Sequence, residues 1–376
     1  MITECFNSYM ESDVATLCEN YKAIQKHVGP NKSVVPVLKA NGYGFGDIEA
    51  AKALIPLGAN LIAVAQVCEG VKLRKNGIDI PILVLGGVSP NNIPYAVEYD
   101  IQTIVFTEEN ALRINDEAKK QGKVANVQLK LDTGMHRVGV VPGEKLAKFI
   151  EFAKTLNNIK IVGAFTHFAC AETVNDPFTL EQYELFKKGI AQIKEDGFID
   201  LKYIHCQNTG GTVWLKDDIC THCRPGAMMY GYCRMTDKSL PMPVNESMSL
   251  HGFITAINEI PVGESVGYDR YFMAEKPSRI ATVGMGYGDA IYRPLAMKKG
   301  PVLVNDTRTN YVGVCMDQLF IDVTGIDCKV GDEITVFGHS KGGAFLSAFE
   351  VADYAETIYQ ILVSVNTSRV GRVYKY

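Results

Sequence analysis

Eight short apolar runs constrain the fold of this chain more than any other feature. Between residues 34 and 225 of the 376-residue sequence, they alternate with longer amphipathic stretches. This alternation is typical of parallel strands joined by crossover helices. The runs are VVPVL (34–38), LIAVA (61–65), ILVLG (82–86), QTIVF (102–106), VQLKL (127–131), KIVGAF (160–165), KYIHC (202–206) and DICTHC (218–223). Eight such units predict a closed (β/α)8 barrel of the TIM type rather than an open sheet.

The pattern changes after Tyr232. The next stretch, CRMTDKSLPMPVNES, has the polar, proline-bearing composition of a connection between domains. Beyond it, six strand-like runs follow one another without long helices, which indicates a mostly antiparallel β domain, and a helical pattern at 344–363 closes it. We therefore predict a barrel domain at 1–240 and a carboxyl-terminal β domain at 241–376.

Charge and composition narrow the class of partner. The formal net charge is −4 and the charged residues of both signs are mixed along the chain, which excludes a dedicated nucleic-acid surface. No apolar run approaches the roughly 20 residues that cross a bilayer, and the first residues do not have the pattern of a secretory signal. The ten cysteines are scattered and are interpreted as reduced thiols. These features predict a cytoplasmic protein that acts on small molecules.

Five polar residues each stand at the end of one of these runs. They are Lys39, Lys130, His167, Asn208 and Arg224. In a (β/α)8 barrel the carboxyl ends of all strands open on the same mouth, where residues that are distant in sequence meet. The sequence therefore predicts an active site on one rim of the barrel.

Lys39 carries the most specific chemistry of the five. It precedes three glycines in KANGYGFGD, which let the backbone approach a ligand closely. A lysine that is partly desolvated in a barrel mouth loses its proton near neutrality and attacks a carbonyl group. An exposed lysine before a glycine-rich turn is the alternative.

A Cys-x-x-Cys pair, Cys220 and Cys223, invites a metal or redox interpretation. A structural zinc site normally needs four ligands, and no second pair has suitable spacing. We assign these cysteines to packing and predict no metal.

The segment VLKANGYGFGD resembles the pyridoxal-phosphate-binding segment of alanine racemases. The resemblance continues in the family's order through LKLDTGMHRVGV, FTHFACAE, HCQNTGG, CRPGAMMYG, VGYDRYF, VGMGYGDAIYR, VGVCMDQ and SRVGRVY, across nearly the whole chain. It implies an eight-stranded α/β barrel followed by a β domain, with pyridoxal phosphate as cofactor. It also implies a head-to-tail homodimer in which the partner's β domain completes each active site.

The resemblance assigns two catalytic bases. Lys39 holds the cofactor and serves as one base, and Tyr268 of the neighbouring subunit serves as the other. Racemisation removes a proton from one face of a planar carbon and returns one to the opposite face, so a group is needed on each side. Without the resemblance, Tyr268 is a strand-edge aromatic residue beside Gly267.

The remaining implied residues surround the cofactor and the substrate. Arg224 faces the pyridine nitrogen and His167 supports it. A carbamylated Lys130 orients Arg137, whereas a plain salt bridge to Asp132 is the alternative. The other cofactor-binding residues are Tyr43, Asn208, Thr209, Gly226, Ala227 and Tyr359. The residues at the substrate are Arg137, Tyr287, Met316 and Asp317.

We therefore predict an amino-acid racemase that interconverts L-alanine and D-alanine. The chain departs from the family pattern at Phe45, at Gly288–Ala290 and at Gln360, which favours serine, lysine or ornithine as an alternative substrate. A non-catalytic pyridoxal-phosphate-binding protein is the alternative from another class, although such a protein needs no second base. Related barrel decarboxylases carry a characteristic cysteine motif that is not evident here.

Overall fold

The computed structural model describes residues 5–236, 240–355, 357–365 and 367–376. The chain divides into two compact units. The barrel unit comprises Cys18–Gly42 and Gly46–Val244, and the β unit comprises Met1–Leu17, Tyr43–Phe45 and Asn245–Tyr376. One boundary between the two units lies at residues 244 and 245. The amino-terminal segment, which the prediction assigned to the barrel domain, clusters with the β unit.

The first strand explains that assignment. Strand β1 (Ser8–Asp13) pairs with two strands of the β unit, antiparallel with residues 248–252 and parallel with residues 371–375. Its side chains alternate between buried and half-buried, as expected for a strand inside a sheet. The helix Val14–Val28 follows it.

Eight parallel strands form the barrel, as predicted. They are β2 (Ser33–Val34), β3 (Ile62–Val64), β4 (Ile82–Val84), β5 (Thr103–Val105), β6 (Ala125–Lys130), β7 (Ile159–Phe165), β8 (Tyr203–His205) and β9 (His222–Cys223). Ladders or single bridges join each strand to the next from β2 to β8, and β9 pairs with β2. The amides of Thr221 and Arg224 donate to Ile204 O and Gln207 O, both at 2.9 Å, and so close the ring between β8 and β9.

Helices between the strands cover the barrel. They are Asp47–Leu54, Val67–Lys75, Ile93–Glu98, Glu108–Lys120, Glu144–Ala153, Pro177–Asp196 and Thr209–Trp214. The three longest of them are Glu108–Lys120, Glu144–Ala153 and Pro177–Asp196. Two of these begin at side-chain caps, because Thr107 and Asp176 accept hydrogen bonds from backbone amides of the first turn. Their apolar faces pack on strand residues such as Val127 and Leu129, which are fully buried.

The β unit is built on a mostly antiparallel sheet. Its later strands are β10 (Met248–Ile260), β11 (Ser265–Val266), β12 (Phe272–Met273), β13 (Ser278–Val283), β14 (Pro301–Val304), β15 (Thr307–Val314), β16 (Leu319–Asp322), β17 (Glu333–His339), β18 (Phe345–Leu346) and β19 (Gly371–Lys375). In the main sheet β10, β13, β16, β15, β14 and β17 follow one another, and β17 pairs back with β10. Six antiparallel strands therefore close into a small barrel.

The single helix predicted at 344–363 is wrong. The region contains β18 and two short helices, Ala348–Ala352 and Ile358–Val363. The first begins at Ser347, whose hydroxyl accepts from the amide of Phe349 at 3.1 Å. Thr357, directly before the second, has extended backbone with φ −157°. A further short helix spans Arg293–Met297.

Across the described ranges, none of the helices has the length and apolar character that a bilayer crossing requires.

Candidate active site

Lys39 stands at the carboxyl end of the first barrel strand, where the backbone turns into a left-handed conformation. Ala40, Asn41 and Gly42 have φ values of 52°, 55° and 63°. This region costs roughly 1–2 kcal/mol for each residue that has a Cβ atom. Gly42 is also crowded, because an added Cβ would lie 3.2 Å from the Tyr230 hydroxyl and 3.3 Å from the amide nitrogen of Asp47. The turn is therefore a strained feature that the surrounding residues must hold.

The surroundings of Lys39 favour the neutral amine. Burial lowers the pKa of Lys39, and the positive charges of Arg137 and Arg224 lower it further, whereas Glu69 raises it. The combined effect is a pKa below the usual lysine value. A lysine in this environment is a stronger nucleophile near neutral pH than an exposed lysine.

Arg224 is buried directly behind the end of β9 and is held at several points. Its Nη1 donates to His205 Nδ1 at 2.5 Å, and its Nη2 donates to the carbonyl of Thr166 at 2.8 Å. His167 Nδ1 lies farther from Nη2, at 3.4 Å. The guanidinium carbon sits 5.2 Å from the centre of the Phe165 ring. The orientation of Arg224 is therefore fixed by residues of two barrel strands, β7 and β8, and of the turn that follows β7.

His205 connects Arg224 to a chain of buried amides. A guanidinium only donates, so Nδ1 of His205 must accept, and the neutral ring carries its proton on Nε2. Nε2 then donates to Gln128 Oε1 at 2.7 Å, and Gln128 Nε2 donates to Gln102 Oε1 at 2.8 Å. Burial and the charge of Arg224 hold the pKa of His205 well below its ordinary value, which keeps the ring neutral.

Sequence reasoning missed His205 and named His167 as the support of Arg224. His205 lies inside the run 202–206, which was interpreted only as a strand. The inward position of an imidazole in an otherwise apolar strand was the available signal. Burial and four nearby cationic side chains also keep the pKa of His167 well below its ordinary value.

Lys130 is buried at the end of β6 among cations. Its Nζ donates to the carbonyl of Leu131 at 2.9 Å and lies 5.4 Å from the centre of the Phe165 ring. Burial, with the charges of Arg224 and Arg137, lowers the pKa of Lys130 to about 7. Much of the Lys130 population is therefore neutral near pH 7.

Asp132 follows Lys130 but engages its own loop. Its Oδ1 accepts from the amides of Gly134 and His136 at 3.0 and 3.1 Å. Among the residues that the structure describes, no salt bridge joins Asp132 to Lys130. Arg137 belongs to the same loop, is exposed, and lowers the pKa values of Lys39, Lys130 and His167.

The ends of β8 and β9 bring four predicted cofactor-binding residues together. Thr209 Oγ1 accepts from the amide of Gly226 at 3.1 Å, and Ala227 follows as the buried first residue of a 3-10 turn. Asn208 caps the helix Thr209–Trp214 by accepting from the amide of Gly211 at 3.1 Å. Hydroxyl, amide and backbone N–H groups at this rim are the donors that phosphate binding uses.

Tyr268 and Tyr287 lie in the β unit and line one cavity. The cavity has a volume of about 270 Å³ and is also bordered by Arg293 and Met297. Tyr268 is 75% exposed. It follows Gly267, whose φ of 70° lies in the left-handed region that favours glycine. Its hydroxyl is therefore presented at the surface of the unit.

The other predicted residues of the β unit form two neighbourhoods. Met316 is exposed. Its backbone carbonyl accepts a hydrogen bond from the amide of Gly288, the residue after Tyr287, at 2.8 Å. Asp317 follows it and is also exposed. Tyr43 is buried, and its pKa is raised by burial and by the neighbouring Tyr359.

Cys220 contacts a different cysteine from the one that the sequence motif suggests. Its Sγ lies 3.4 Å from Sγ of Cys206, and Asp217 is close to both. These three are the one group with metal-ligand geometry in the described part of the chain. Asp217 is already engaged, since its carboxylate is ion-paired with Lys32 at 2.6 Å and accepts from the Tyr183 hydroxyl at 2.8 Å.

Family models and known proteins resemble this chain over nearly its full length. Residues 12–234 match the model "Alanine racemase, N-terminal domain" and residues 247–374 match "Alanine racemase, C-terminal domain". The alanine racemase of Halothermothrix orenii is 36% identical over 98% of this chain and 97% of its own length. That of Clostridium novyi is 34% identical over 97% of this chain and 95% of its own.

Solved structures give the same result. Alanine racemase from Clostridium difficile 630 aligns with a TM-score of 0.90 at 30% identity, covering 98% of this chain and 95% of that one. Alanine racemase from Bacillus anthracis with bound L-Ala-P aligns with a TM-score of 0.92 at 29% identity, covering 99% and 95%. Two consecutive family domains, full-length relatives and the lysine at the barrel mouth agree, and the chain belongs to the alanine racemase family of pyridoxal-phosphate-dependent isomerases.

Proposed function

We propose that this protein interconverts L-alanine and D-alanine with pyridoxal phosphate held on Lys39. The single observation that carries the proposal is a lysine of lowered pKa at the end of a barrel strand, close enough to Arg224 for their charges to interact. Family membership supports the reaction, and the relatives named alanine racemase support the substrate.

The residues present fit this cofactor. Lys39 offers an amine that reacts with an aldehyde, and Arg224 offers a fixed donor for a ring nitrogen. The Thr209 hydroxyl, which the Gly226 amide positions, offers a donor for a phosphate. Tyr43, Asn208, Ala227 and Tyr359 complete the proposed cofactor-binding set. When bound, pyridoxal phosphate supplies the electron sink that makes the substrate's α-proton removable.

Lys39 and Tyr268 act as the two bases in this proposal. Burial and the nearby arginines lower the pKa of Lys39, so its neutral, proton-accepting amine forms more readily than that of an exposed lysine. The phenol of Tyr268, exposed on its own unit, serves the opposite face in a neighbouring subunit. Each base therefore needs to move one proton only, and the direction of the reaction reverses by exchanging their roles.

Arg224 protects the reaction from side chemistry. Burial lowers its pKa to about 10, which leaves the guanidinium protonated at neutral pH. A guanidinium donates hydrogen bonds without giving up a proton, so Arg224 does not protonate a ring nitrogen in front of it. His205, which is neutral and hydrogen-bonded on both ring nitrogens, keeps Arg224 in that role. His167 is proposed as its second support.

Lys130 is proposed to be carbamylated and to orient Arg137 toward the substrate carboxylate. Only a neutral amine reacts with carbon dioxide, and a pKa of about 7 makes that form abundant. A carbamate also converts a crowd of like charges into an opposite-charge pair. The intact mass of the native protein in bicarbonate buffer, compared with that of Lys130→Ala, tests this. A wild-type mass without the added carbon dioxide rejects the carbamate.

The β unit is proposed to complete the active site of a second subunit in a homodimer. Tyr268, Tyr287, Met316 and Asp317 all lie in this unit, and all four are exposed. Tyr287, Met316 and Asp317 are proposed to face the substrate. In a head-to-tail dimer, each site then takes Lys39 from one subunit and Tyr268 from the other.

Racemisation by purified holoenzyme tests the reaction directly. We expect L-alanine and D-alanine to interconvert, Lys39→Ala to abolish turnover, and Tyr268→Phe to reduce it by at least about 100-fold. Ranking kcat/KM for alanine, serine, lysine and ornithine identifies the substrate. A protein that racemises none of these amino acids would overturn the assignment.

Subunit mixing tests the shared site. Unfolding and refolding Lys39→Ala together with Tyr268→Phe produces hybrid dimers in which one of the two sites has both bases. We expect recovery of roughly a quarter of the wild-type activity from random pairing. Each variant refolded alone is the control, and no recovery on mixing rejects the shared arrangement.

A further inference from the structure

The left-handed turn after Lys39 is held by a carboxylate from another part of the barrel. Glu69 Oε1 accepts from the amide of Ala40 at 2.6 Å. Its Oε2 accepts from the amides of Ala65 and Gln66 at 2.8 and 3.0 Å. The carboxylate therefore bridges the backbone after Lys39 and the backbone after β3, the neighbouring barrel strand.

Lys72 adds a second hydrogen bond to this turn from the same helix, Val67–Lys75. Its Nζ donates to Asn41 Oδ1 at 3.1 Å and to Asp47 Oδ1 at 2.6 Å. Residues three apart on a helix share a face, so Glu69 and Lys72 approach the turn together. Two adjacent residues in left-handed backbone, Ala40 and Asn41, thus each receive a contact from this helix.

We propose that Glu69 is a positioning residue for Lys39, fixing the backbone that aims its amine into the barrel mouth, with Lys72 as its accessory. Ala40 is covalently next to Lys39, so a hydrogen bond to the Ala40 amide restrains the direction of the Lys39 side chain. The bond also offsets the strain of a left-handed alanine, which is otherwise unfavourable. The consequence for catalysis rests on the proposed function, whereas the consequence for Lys39 itself does not.

Glu69 also supplies the negative charge in this neighbourhood. The charges that act on Lys39 are Arg137, from the loop after β6, Arg224, from the end of β9, and Glu69. His167, after β7, also interacts with Lys39 and is held neutral. Both arginines lower the pKa of Lys39 and Glu69 raises it. Removing the Glu69 charge should therefore move this pKa in one direction, downward.

Glu69→Gln is the informative variant because it keeps the side-chain length. An amide has one acceptor oxygen, so its NH₂ group must face either the Ala40 amide or the Ala65 and Gln66 amides, and one end of the bridge is lost. In the full chain freed of cofactor with hydroxylamine, competitive acetylation as a function of pH measures the pKa of Lys39. We expect it to fall by on the order of one unit.

The holoenzyme gives the catalytic readout. We expect Glu69→Gln to lower kcat by about 10-fold while KM for alanine changes by less than about threefold, because a misdirected base affects the proton-transfer step more than binding. Lys72→Met loses the hydrogen bond to Asn41 but keeps the Glu69 carboxylate. We therefore expect a smaller fall in kcat, with the pKa of Lys39 unchanged. A wild-type kcat for Lys72→Met overturns the accessory role.

Glu108→Gln is the matched control, since it also removes a carboxylate from the first turn of a barrel helix. It should leave kcat and the pKa of Lys39 as in wild type. If Glu69→Gln behaves like Glu108→Gln in both measurements, the positioning role is rejected. If the pKa of Lys39 shifts in Glu69→Gln but wild-type protein racemises no amino acid, the positioning role stands and the proposed function fails.

Discussion

At His205, one buried ring nitrogen helps to fix the orientation of the Arg224 guanidinium. Nδ1 accepts from Arg224, and the proton on Nε2 is committed to Gln128. The three residues come from different strands of the barrel: Arg224 follows β9, His205 ends β8 and Gln128 lies within β6. An inward polar chain of this kind is costly to bury unless each group is satisfied, and here each is.

Replacing His205 should misdirect Arg224. Glutamine cannot reproduce the geometry of both ring nitrogens, so we expect His205→Gln to lower kcat/KM by about 10- to 100-fold and to destabilise the protein by roughly 1–3 kcal/mol. Steady-state kinetics and urea unfolding measure the two effects.

His222→Gln is the control for His205→Gln. His222 is equally a buried histidine of a barrel strand, but it contacts Thr221 and Asn60 instead of Arg224. It should lose stability while keeping kcat/KM within about threefold of wild type. Equal losses of kcat/KM in the two variants would show that the Arg224 contact is not the cause.

At the residue scale, the sequence predicts a site residue when its place at a strand end determines where its side chain points. Lys39, Lys130 and Arg224 stand at strand ends, and Arg224 interacts electrostatically with both lysines in the structure. The Glu69 contacts to Ala40 were not predictable, since they depend on two loops meeting in space. The contact of Cys220 with Cys206 was hidden for the same reason, because the local Cys-x-x-Cys spacing pointed to Cys223.

Among the elements, the helix Thr209–Trp214 depends on a close backbone approach at its start. A Cβ atom added to Gly210 would lie 2.0 Å from the carbonyl oxygen of Ala171, which is a backbone atom that cannot rotate away. The helix therefore sits against the loop after β7 with no space for a side chain. Thr209, which contacts the Gly226 amide, precedes this point directly.

Gly210→Ala should displace that helix. We expect a loss of stability of about 2 kcal/mol or more and at least a 10-fold weaker retention of pyridoxal phosphate, because Thr209 moves with the helix. Equilibrium dialysis of the cofactor and thermal unfolding measure both.

Gly86→Ala provides the comparison for Gly210→Ala, since its added Cβ meets only the Ala65 carbonyl oxygen at an ordinary 3.6 Å. It should resemble wild type in both measurements. Cofactor retention by Gly210→Ala that matches Gly86→Ala would contradict the packing argument.

Element prediction succeeded for the barrel and failed at 344–363. Several barrel strands, such as Ile62–Val64, Ile82–Val84 and Thr103–Val105, are short runs of buried residues rich in β-branched side chains. Short runs of this composition favour strands over helices. At 344–363 the apolar spacing does suit one helix, but Ser347 starts a new helix late and Thr357 adopts extended backbone. Capping and backbone conformation at two residues, rather than periodicity, decide the outcome there.

For the whole molecule, the stability of both units should respond to acid. Burial lowers the pKa of His222, in the barrel unit, and of His251, in the β unit, each to about 4. An unfolded histidine titrates near 6.5, so between pH 6.5 and 4 the unfolded chain binds more protons than the folded one. The free energy of unfolding therefore falls as the pH drops through this window, by up to about 3 kcal/mol for each histidine.

Unfolding of the barrel unit can be followed through Trp214, the chain's one tryptophan. We expect the stability advantage of wild type over His222→Gln to shrink as the pH is lowered from 6.5 to 4.5 and to be constant above 6.5. Urea titrations monitored by tryptophan fluorescence measure it. Parallel stability profiles for the two proteins across this range would show that His222 does not titrate as described.

The position of β1 has a consequence for how the chain is made. Translation produces β1 well before its neighbours β10 and β19, which lie far later in the sequence. The barrel residues 46–244 emerge together and make their contacts while translation continues, whereas β1 must wait with its edges open. Nascent chains halted after the barrel should therefore present β1 as a protease-sensitive, chaperone-accessible segment, and protection should arrive only once β19 has cleared the exit tunnel.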